Sequence, residues 1–230
     1  MRIGALQQTT MLDFPGRLSA IVFVRGCNFA CPYCHNPDLL KHGGSPLAPD
    51  EVLKFLTRRK RVLEGVVITG GEPTLQEDLA EFCRMLKDMG YAVKLDTNGG
   101  RPDILEHLLR KDLLDYVALD VKADPRRYPR EISGADVGDA ISASIDILNG
   151  SPVRREFRVP CAHPFINGES FQAILETASG DIPVFLQKIR LERVLDPDFF
   201  ADNKGRALNP VEMEHLRSRA EACGKMCLIR

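Results

Sequence analysis

Three cysteines, Cys27, Cys31 and Cys34, lie in the run Gly26-Cys27-Asn28-Phe29-Ala30-Cys31-Pro32-Tyr33-Cys34-His35-Asn36-Pro37. The spacing offers three thiolates and no fourth. A closed structural zinc site uses four ligands. A cubane iron–sulfur cluster can be held by three, leaving one iron open to a ligand that is not protein. Two other readings fit the spacing. The cysteines could be buried apolar residues, or part of a zinc site completed by a remote ligand such as His35.

The preceding residues favour the cluster. Leu18 to Val24 is an apolar, β-branched run that reads as a buried strand, and the cysteines follow its C-terminal end. Parallel α/β barrels place their chemistry at that end of their strands. Further strands are expected at Gly65–Thr69, Ala92–Asp96, Tyr116–Asp120, Glu156–Pro160 and Pro183–Arg190. Between them, helices are expected at Pro49–Leu63, Gln76–Met89, Pro102–Lys111, Val137–Leu148 and Glu169–Ser179. Alternating β and α elements predict a parallel sheet covered by helices. Six units are too few for an eight-fold barrel and fit a partial (β/α)6 TIM-like barrel. The expected organisation is a barrel domain over residues 1–195 and a C-terminal appendage over 196–230. The appendage carries Asp196-Pro197, Asp202-Asn203, a helix near Pro210–Cys223 and a short run Met226–Ile229. His42–Pro49 reads as a loop.

Composition narrows the class. With 31 basic and 32 acidic side chains the chain is nearly neutral, so neither a nucleic-acid nor a membrane surface is expected. No apolar run is long enough to span a bilayer, and the N-terminus lacks the apolar core of a signal peptide. Seven cysteines in such a chain point to a reducing cytoplasm and to ligands or free thiols. Cys83 falls in an amphipathic helix and reads as core, and Cys161 follows the fifth strand. Cys223 and Cys227 form a pair too small to hold a cubane.

Other motifs follow strand ends. Thr69-Gly70-Gly71-Glu72-Pro73 is a turn that permits positive φ. Asp96-Thr97-Asn98-Gly99 contains a favoured turn pair, and Asp120-Val121-Lys122 could be a simple rim ion pair. Arg155 and Arg158 flank the fifth strand; both could equally be surface residues.

Together, the Cys-x3-Cys-x2-Cys spacing with an aromatic residue before the last cysteine and the Gly-Gly-Glu-Pro turn resemble the radical S-adenosylmethionine (SAM) enzymes. Asp13-Phe14-Pro15-Gly16, the Cys-His-Asn segment and Phe185-Leu186-Gln187-Lys188 narrow the resemblance. Over roughly residues 5–195 it points to activating proteins of anaerobic ribonucleoside-triphosphate reductase and to pyruvate formate-lyase activating enzyme. The resemblance implies a 4Fe–4S cluster on Cys27, Cys31 and Cys34, with SAM on its open iron. It implies cofactor contacts by Tyr33, Gly70, Gly71, Glu72, Asn98, Asp120, Lys122 and Arg155. Gly71, lacking Cβ, would allow close approach of the methionyl group, and Asp96 with Asp120 could hold a monovalent cation. Arg155, five residues before Pro160, matches an arginine of the activases. Where pyruvate formate-lyase activating enzyme has a histidine on its sixth strand, this chain has none, and Gln187 stands there. The implied activity is hydrogen abstraction from a glycine of a partner glycyl-radical enzyme, with electrons from a flavodoxin or a ferredoxin-type donor. No side chain is expected to act as general acid or base. The alternative reading is a radical SAM enzyme acting on a small molecule such as a modified purine precursor.

Overall fold

The computed structural model describes residues 1–40, 46–201 and 205–230. Residues 42–45 of the loop expected at His42–Pro49, and the Asp202-Asn203 pair, lie outside the described residues. The chain divides into two compact units. The first comprises Met1–Asn28, Asp38–Thr97 and Asp103–Ala118. The second comprises Phe29–Pro37, Asn98–Pro102 and Leu119–Arg230.

In the first unit, β1 (Ile3–Thr10) runs antiparallel to β2 (Ser19–Val24). Strand β2 is parallel to β3 (Gly65–Gly70), and β3 is parallel to β4 (Ala92–Thr97). Helix α1 (Pro37–Leu40) is one turn, followed by α2 (Pro49–Arg59), α3 (Leu79–Asp88) and α4 (Pro102–Arg110). Helix α3 buries Leu79, Phe82, Cys83 and Leu86, the i, i+3, i+4, i+7 stripe of an amphipathic helix. Helix α2 opens with Pro49, Asp50 and Glu51 and closes with Arg58 and Arg59, so its end charges oppose its dipole. Phe14, from the Asp-Phe-Pro-Gly segment, is buried in a cluster with Ile21, Val67, Ala92 and Tyr116. Its ring meets Tyr116 edge-on, 5.9 Å between centroids.

Strand β5 (Tyr116–Asp120) gives its first three residues to the first unit and its last two to the second. The second unit continues with α5 (Arg130–Ser133), α6 (Gly138–Asn149), β6 (Arg154–Pro160), β7 (Ala162–His163) and α7 (Gly168–Thr177). It ends with β8 (Val184–Gln187), α8 (Pro197–Ala201), β9 (Arg206–Ala207), α9 (Pro210–Ala222) and β10 (Cys227–Ile229). Strands β6, β8 and β10 pair in parallel, in that order. Helices α7 and α9 start with capping boxes, Asn167 with Ser170 and Asn209 with Glu212.

The α/β class and the six expected strands are present. The edge strand β1 was not expected. Its Gln7, Gln8 and Thr9 are exposed, so it lacks the apolar pattern that marks a buried strand. The sixth expected strand ends at Gln187 and not at Arg190. The run expected as a terminal fragment is β10, paired with β8, and residues 196–230 fall in the same compact unit as β6 and β8.

Candidate functional site

The turn after β3 is shaped by its own backbone. Gly71 N–H donates to Val24 O at 2.9 Å, and Glu72 N–H donates to Gly26 O at 2.8 Å. A Cβ on Gly71 would stand 2.0 Å from Gly26 O. A Cβ on Gly70, whose φ is +114°, would stand 2.6 Å from Val24 N and O. The two glycines are therefore required by the chain leading into Cys27, a closer cause than the expected approach of a cofactor. Gln76 adds a tie with no signal in the sequence: its Nε2 donates to Arg25 O at 3.0 Å, and its Oε1 accepts from Arg2 N–H at 2.9 Å.

Glu72 is buried. Its Oε1 accepts from Thr74 N–H at 3.0 Å, Thr74 Oγ1 at 2.6 Å and Thr97 Oγ1 at 2.7 Å. These bonds are what make burial of a carboxylate tolerable. On β4, Asp96 binds the Lys94 ammonium, and Lys94 lies over the Tyr116 ring, 5.6 Å from its centroid. The cation carried by Asp96 is thus a protein side chain, as is that carried by Asp120.

In the second unit, the cysteine loop is fixed at several points. Ala30 N–H donates to Ile132 O at 2.7 Å, Cys34 N–H to Cys31 O at 2.9 Å, and Asp196 N–H to Pro32 O at 3.1 Å. Phe29 packs on Tyr128 and Tyr33 on Phe165, with centroids 5.8 Å and 5.9 Å apart. Tyr33 is only 4% exposed, and among the described residues its hydroxyl has no hydrogen-bond partner. Burial first, then the nearby charges of Cys31, Tyr128, Asp120 and Cys34, hold this phenol well above its usual pKa, so it is a neutral O–H.

Asp120 gathers two cations. Lys122 Nζ donates to its Oδ2 at 2.8 Å and Arg158 Nε to its Oδ1 at 2.7 Å. Burial raises the Asp120 pKa, but Arg158 and Lys122 outweigh it and hold the carboxyl at about 2. Burial lowers the Lys122 pKa, and Asp120 with Cys31 more than reverses this, so the ammonium stays charged. Burial raises the Cys34 thiol pKa, partly offset by the Asn36 backbone and by Lys122.

Arg155 is not part of this group. It sits at the start of β6, three residues before Arg158, and successive strand residues alternate faces. Its guanidinium binds Asp181 at 2.8 Å. Arg158 is the arginine that the strand brings to Asp120, two residues from the strand end. Asn98 is buried, and its Oδ1 accepts from Gly100 N–H at 2.9 Å, closing an Asx turn after β4.

Cys27, Cys31 and Cys34 are free thiols, as are the other four cysteines. Among the described residues no three His, Cys, Asp or Glu side chains are already gathered as metal ligands. The ligand set therefore rests on the spacing of the thiols and not on a preformed cage. The donor chemistry fits an iron–sulfur cluster: three free thiols close in sequence, with the Lys122 ammonium acting on Cys31 and Cys34. Three of the remaining thiols, Cys83, Cys161 and Cys227, fit that role poorly. Burial pushes Cys83 and Cys161 up to about 12 and Cys227 up to about 11.

Residues 21–178 match the sequence profile of the radical SAM superfamily. The chain belongs to the radical SAM superfamily. It is 30% identical over 205 residues to the Methanocaldococcus jannaschii protein named "Putative glycyl-radical enzyme activating enzyme MJ1227", covering 86% of this chain and 83% of that one. It is 36% identical over 127 residues to the pyruvate formate-lyase-activating enzyme of Clostridium pasteurianum, covering 53% of this chain and 52% of that one. Among solved structures, Streptococcus suis SuiB bound to S-adenosylmethionine aligns with a TM-score of 0.66. That alignment covers 91% of this chain and 51% of SuiB at 13% identity, a likeness of fold. The expected partial (β/α)6 barrel class stands on this likeness, and the chain is a radical SAM enzyme.

No helix among the described residues is long and apolar enough to cross a membrane.

Proposed function

We propose that this radical SAM enzyme activates a glycyl-radical enzyme in the cytoplasm, with anaerobic ribonucleoside-triphosphate reductase as the partner. The observation that carries this reading is the similarity to the M. jannaschii activating enzyme along 83% of that protein's length. Cys27, Cys31 and Cys34 hold a 4Fe–4S cluster, and Tyr33, Gly70, Gly71, Glu72, Asn98, Asp120 and Lys122 serve SAM. Arg158 takes the place expected for Arg155. Held there and reduced by a flavodoxin or ferredoxin-type donor, the cluster would supply one-electron cleavage of SAM and so a means of abstracting a hydrogen atom.

The chain's own residues bind and orient. Lys122 and Arg158 offer cations to the SAM carboxylate, and Asp120, ionised at neutral pH, keeps the pair from repelling each other. The neutral Tyr33 hydroxyl supplies an unused donor. The chemistry that SAM would supply moves a hydrogen atom and not a proton, so no side chain of this protein acts as general acid or base. The flanking amides stabilise the glycyl radical that remains.

A peptide with the partner's glycine loop, deuterated at Cα, tests this directly. Deuterium should appear in 5'-deoxyadenosine, and the intact partner should show a stable glycyl radical by electron paramagnetic resonance. Deuterium taken instead from a small purine metabolite, with none from any glycyl-radical enzyme, would establish the small-molecule reading. Anaerobic reconstitution should load about four irons per chain. Cys27→Ala, Cys31→Ala or Cys34→Ala should abolish loading, whereas Cys83→Ser, Cys161→Ser, Cys223→Ser and Cys227→Ser should retain it.

A further inference from the structure

A groove of about 660 Å³ opens beside the cysteine loop, lined by His35, Lys188, Arg190, Glu192 and Arg193. A second hollow, lined by Lys188, Ile189, Arg190, Leu191 and Glu192, adjoins it. His35 directly follows Cys34. The segment that forms the groove wall is tied to the cysteine loop at two points. Arg190 N–H donates to His35 Nε2 at 3.1 Å, and Asp196 N–H donates to Pro32 O at 3.1 Å. The wall cannot move far without moving the loop.

The groove is basic where the chain as a whole is not. Lys188, Arg190 and Arg193 face one acid, Glu192, while the net charge of the chain is −1. These side chains and His35 are exposed. Among the described residues Lys188 and Arg190 hold no ion pair. Elsewhere on this unit Arg126 pairs with Glu176, Arg206 with Glu212 and Arg217 with Glu214. Leu191, 38% exposed, adds an apolar centre, and the neighbouring Ile189 is buried and anchors the wall. An apolar point within a charged rim is the anatomy of a protein-binding surface, and unpaired like charges steer a partner of opposite sign.

We infer that this groove is the docking surface of an acidic one-electron donor protein, a flavodoxin or a ferredoxin, which it seats within one residue of a cluster ligand. The inference rests on the proposed function, which requires such a donor. The step transfers one electron from the reduced donor to the oxidised cluster; no bond or proton changes place.

The test uses the reconstituted enzyme and an acidic flavodoxin. Calorimetry at low and high salt measures binding of the oxidised flavodoxin. The absorbance of the cluster follows its reduction by the reduced flavodoxin, and separately by dithionite. Wild-type affinity should fall at least about tenfold as salt screens the charges. The double variant Lys188→Gln/Arg190→Gln should bind about tenfold more weakly at low salt, with a flatter salt dependence. Its iron content and its reduction by dithionite should match wild type. Salt-insensitive wild-type binding, absence of binding of either a flavodoxin or an acidic ferredoxin, or unchanged affinity in an iron-replete variant overturns the inference. So does a variant that binds flavodoxin normally but, with dithionite, no longer takes deuterium from the glycine peptide, since the groove would then belong to the substrate. Should the double variant lose iron, Lys188→Gln alone gives the same comparison. A wild-type enzyme that holds no iron, or does not cleave SAM with dithionite, defeats the proposed function instead.

Discussion

The turn after β3 and the rim after β5 both lie where a strand ends, yet different physics specifies them. At the turn, sterics decide. Gly70 and Gly71 are needed because the Val24–Gly26 backbone occupies the space a side chain would take. Glu72 is locked by hydroxyls and a backbone N–H. At the rim, charge decides. Asp120 and Arg158, both partly exposed, and the buried Lys122 form one ionic group. A steric site tolerates no added atom and is indifferent to pH. An ionic site tolerates shape changes and responds to a lost charge.

The sharpest way to break this comparison is Gly71→Ala. The new Cβ would sit on the Gly26 carbonyl and disrupt the Glu72 bond, so destabilisation by about 3 kcal/mol is expected. Iron loading should also fail, because the displaced backbone leads directly into Cys27. Denaturant unfolding and an iron assay check both. This adds a structural demand to the expectation that Gly71 allows close approach of the methionyl group. Gly150→Ala is the control, since a Cβ there has nothing closer than 3.7 Å and its φ of −86° suits any residue. A Gly71→Ala protein with full iron content would show that the turn is not sterically fixed.

Arg158→Gln tests the rim. SAM affinity, measured by equilibrium dialysis, should fall about tenfold, equivalent to about 1.4 kcal/mol. Arg155→Gln should leave it unchanged, and unequal effects in the opposite sense would return Arg155 to the site.

Asp120→Asn removes the shared anion and should cost about 1–2 kcal/mol, reduced by the partial exposure of the group. The Asp120 carboxyl is held at about 2 when folded, against about 3.9 in an unfolded chain. Its contribution is therefore complete above the unfolded value and lost as pH falls through the folded one. Between pH 5 and 9 the deficit of Asp120→Asn should be constant. Unfolding curves at pH 5, 7 and 9 that show a changing deficit would contradict the assigned ionisation.

Thr97→Val, nearly equal in volume, removes one donor from the buried Glu72 and should cost about 1 kcal/mol, read from the same unfolding curves. The smallest effect belongs to the stability of Arg155→Gln. Its partner Asp181 is 68% exposed, so the loss should stay below about 1 kcal/mol.

Much of the site was legible in the chain because its signals are local. Three thiols within eight residues, a Gly-Gly pair after an apolar run and Asp-x-Lys at a strand end keep their meaning in any α/β context. Five of the six expected strands lie within two residues of the observed boundaries, since buried parallel strands are nearly continuous apolar runs. Contacts distant in sequence were not legible. Gln76 reaches Arg25 across 51 positions, and Arg158 reaches Asp120 across 38. Polar side chains carry no sign of their partner.

The sequence by itself determined the class of chemistry, because the number and spacing of thiolates limit which metal group can bind. It also determined the order of six of the strands and the main helices between them, because hydrophobic period is a local property. Only the tertiary structure decided which of two arginines on one strand meets Asp120, because alternate residues face opposite sides of a sheet. It also decided why Gly71 is a glycine, because the atom that excludes a side chain belongs to a neighbouring strand's end. And it decided that, among the described residues, Lys188 and Arg190 hold no ion pair beside the cysteine loop, because pairing depends on which acids the fold brings near.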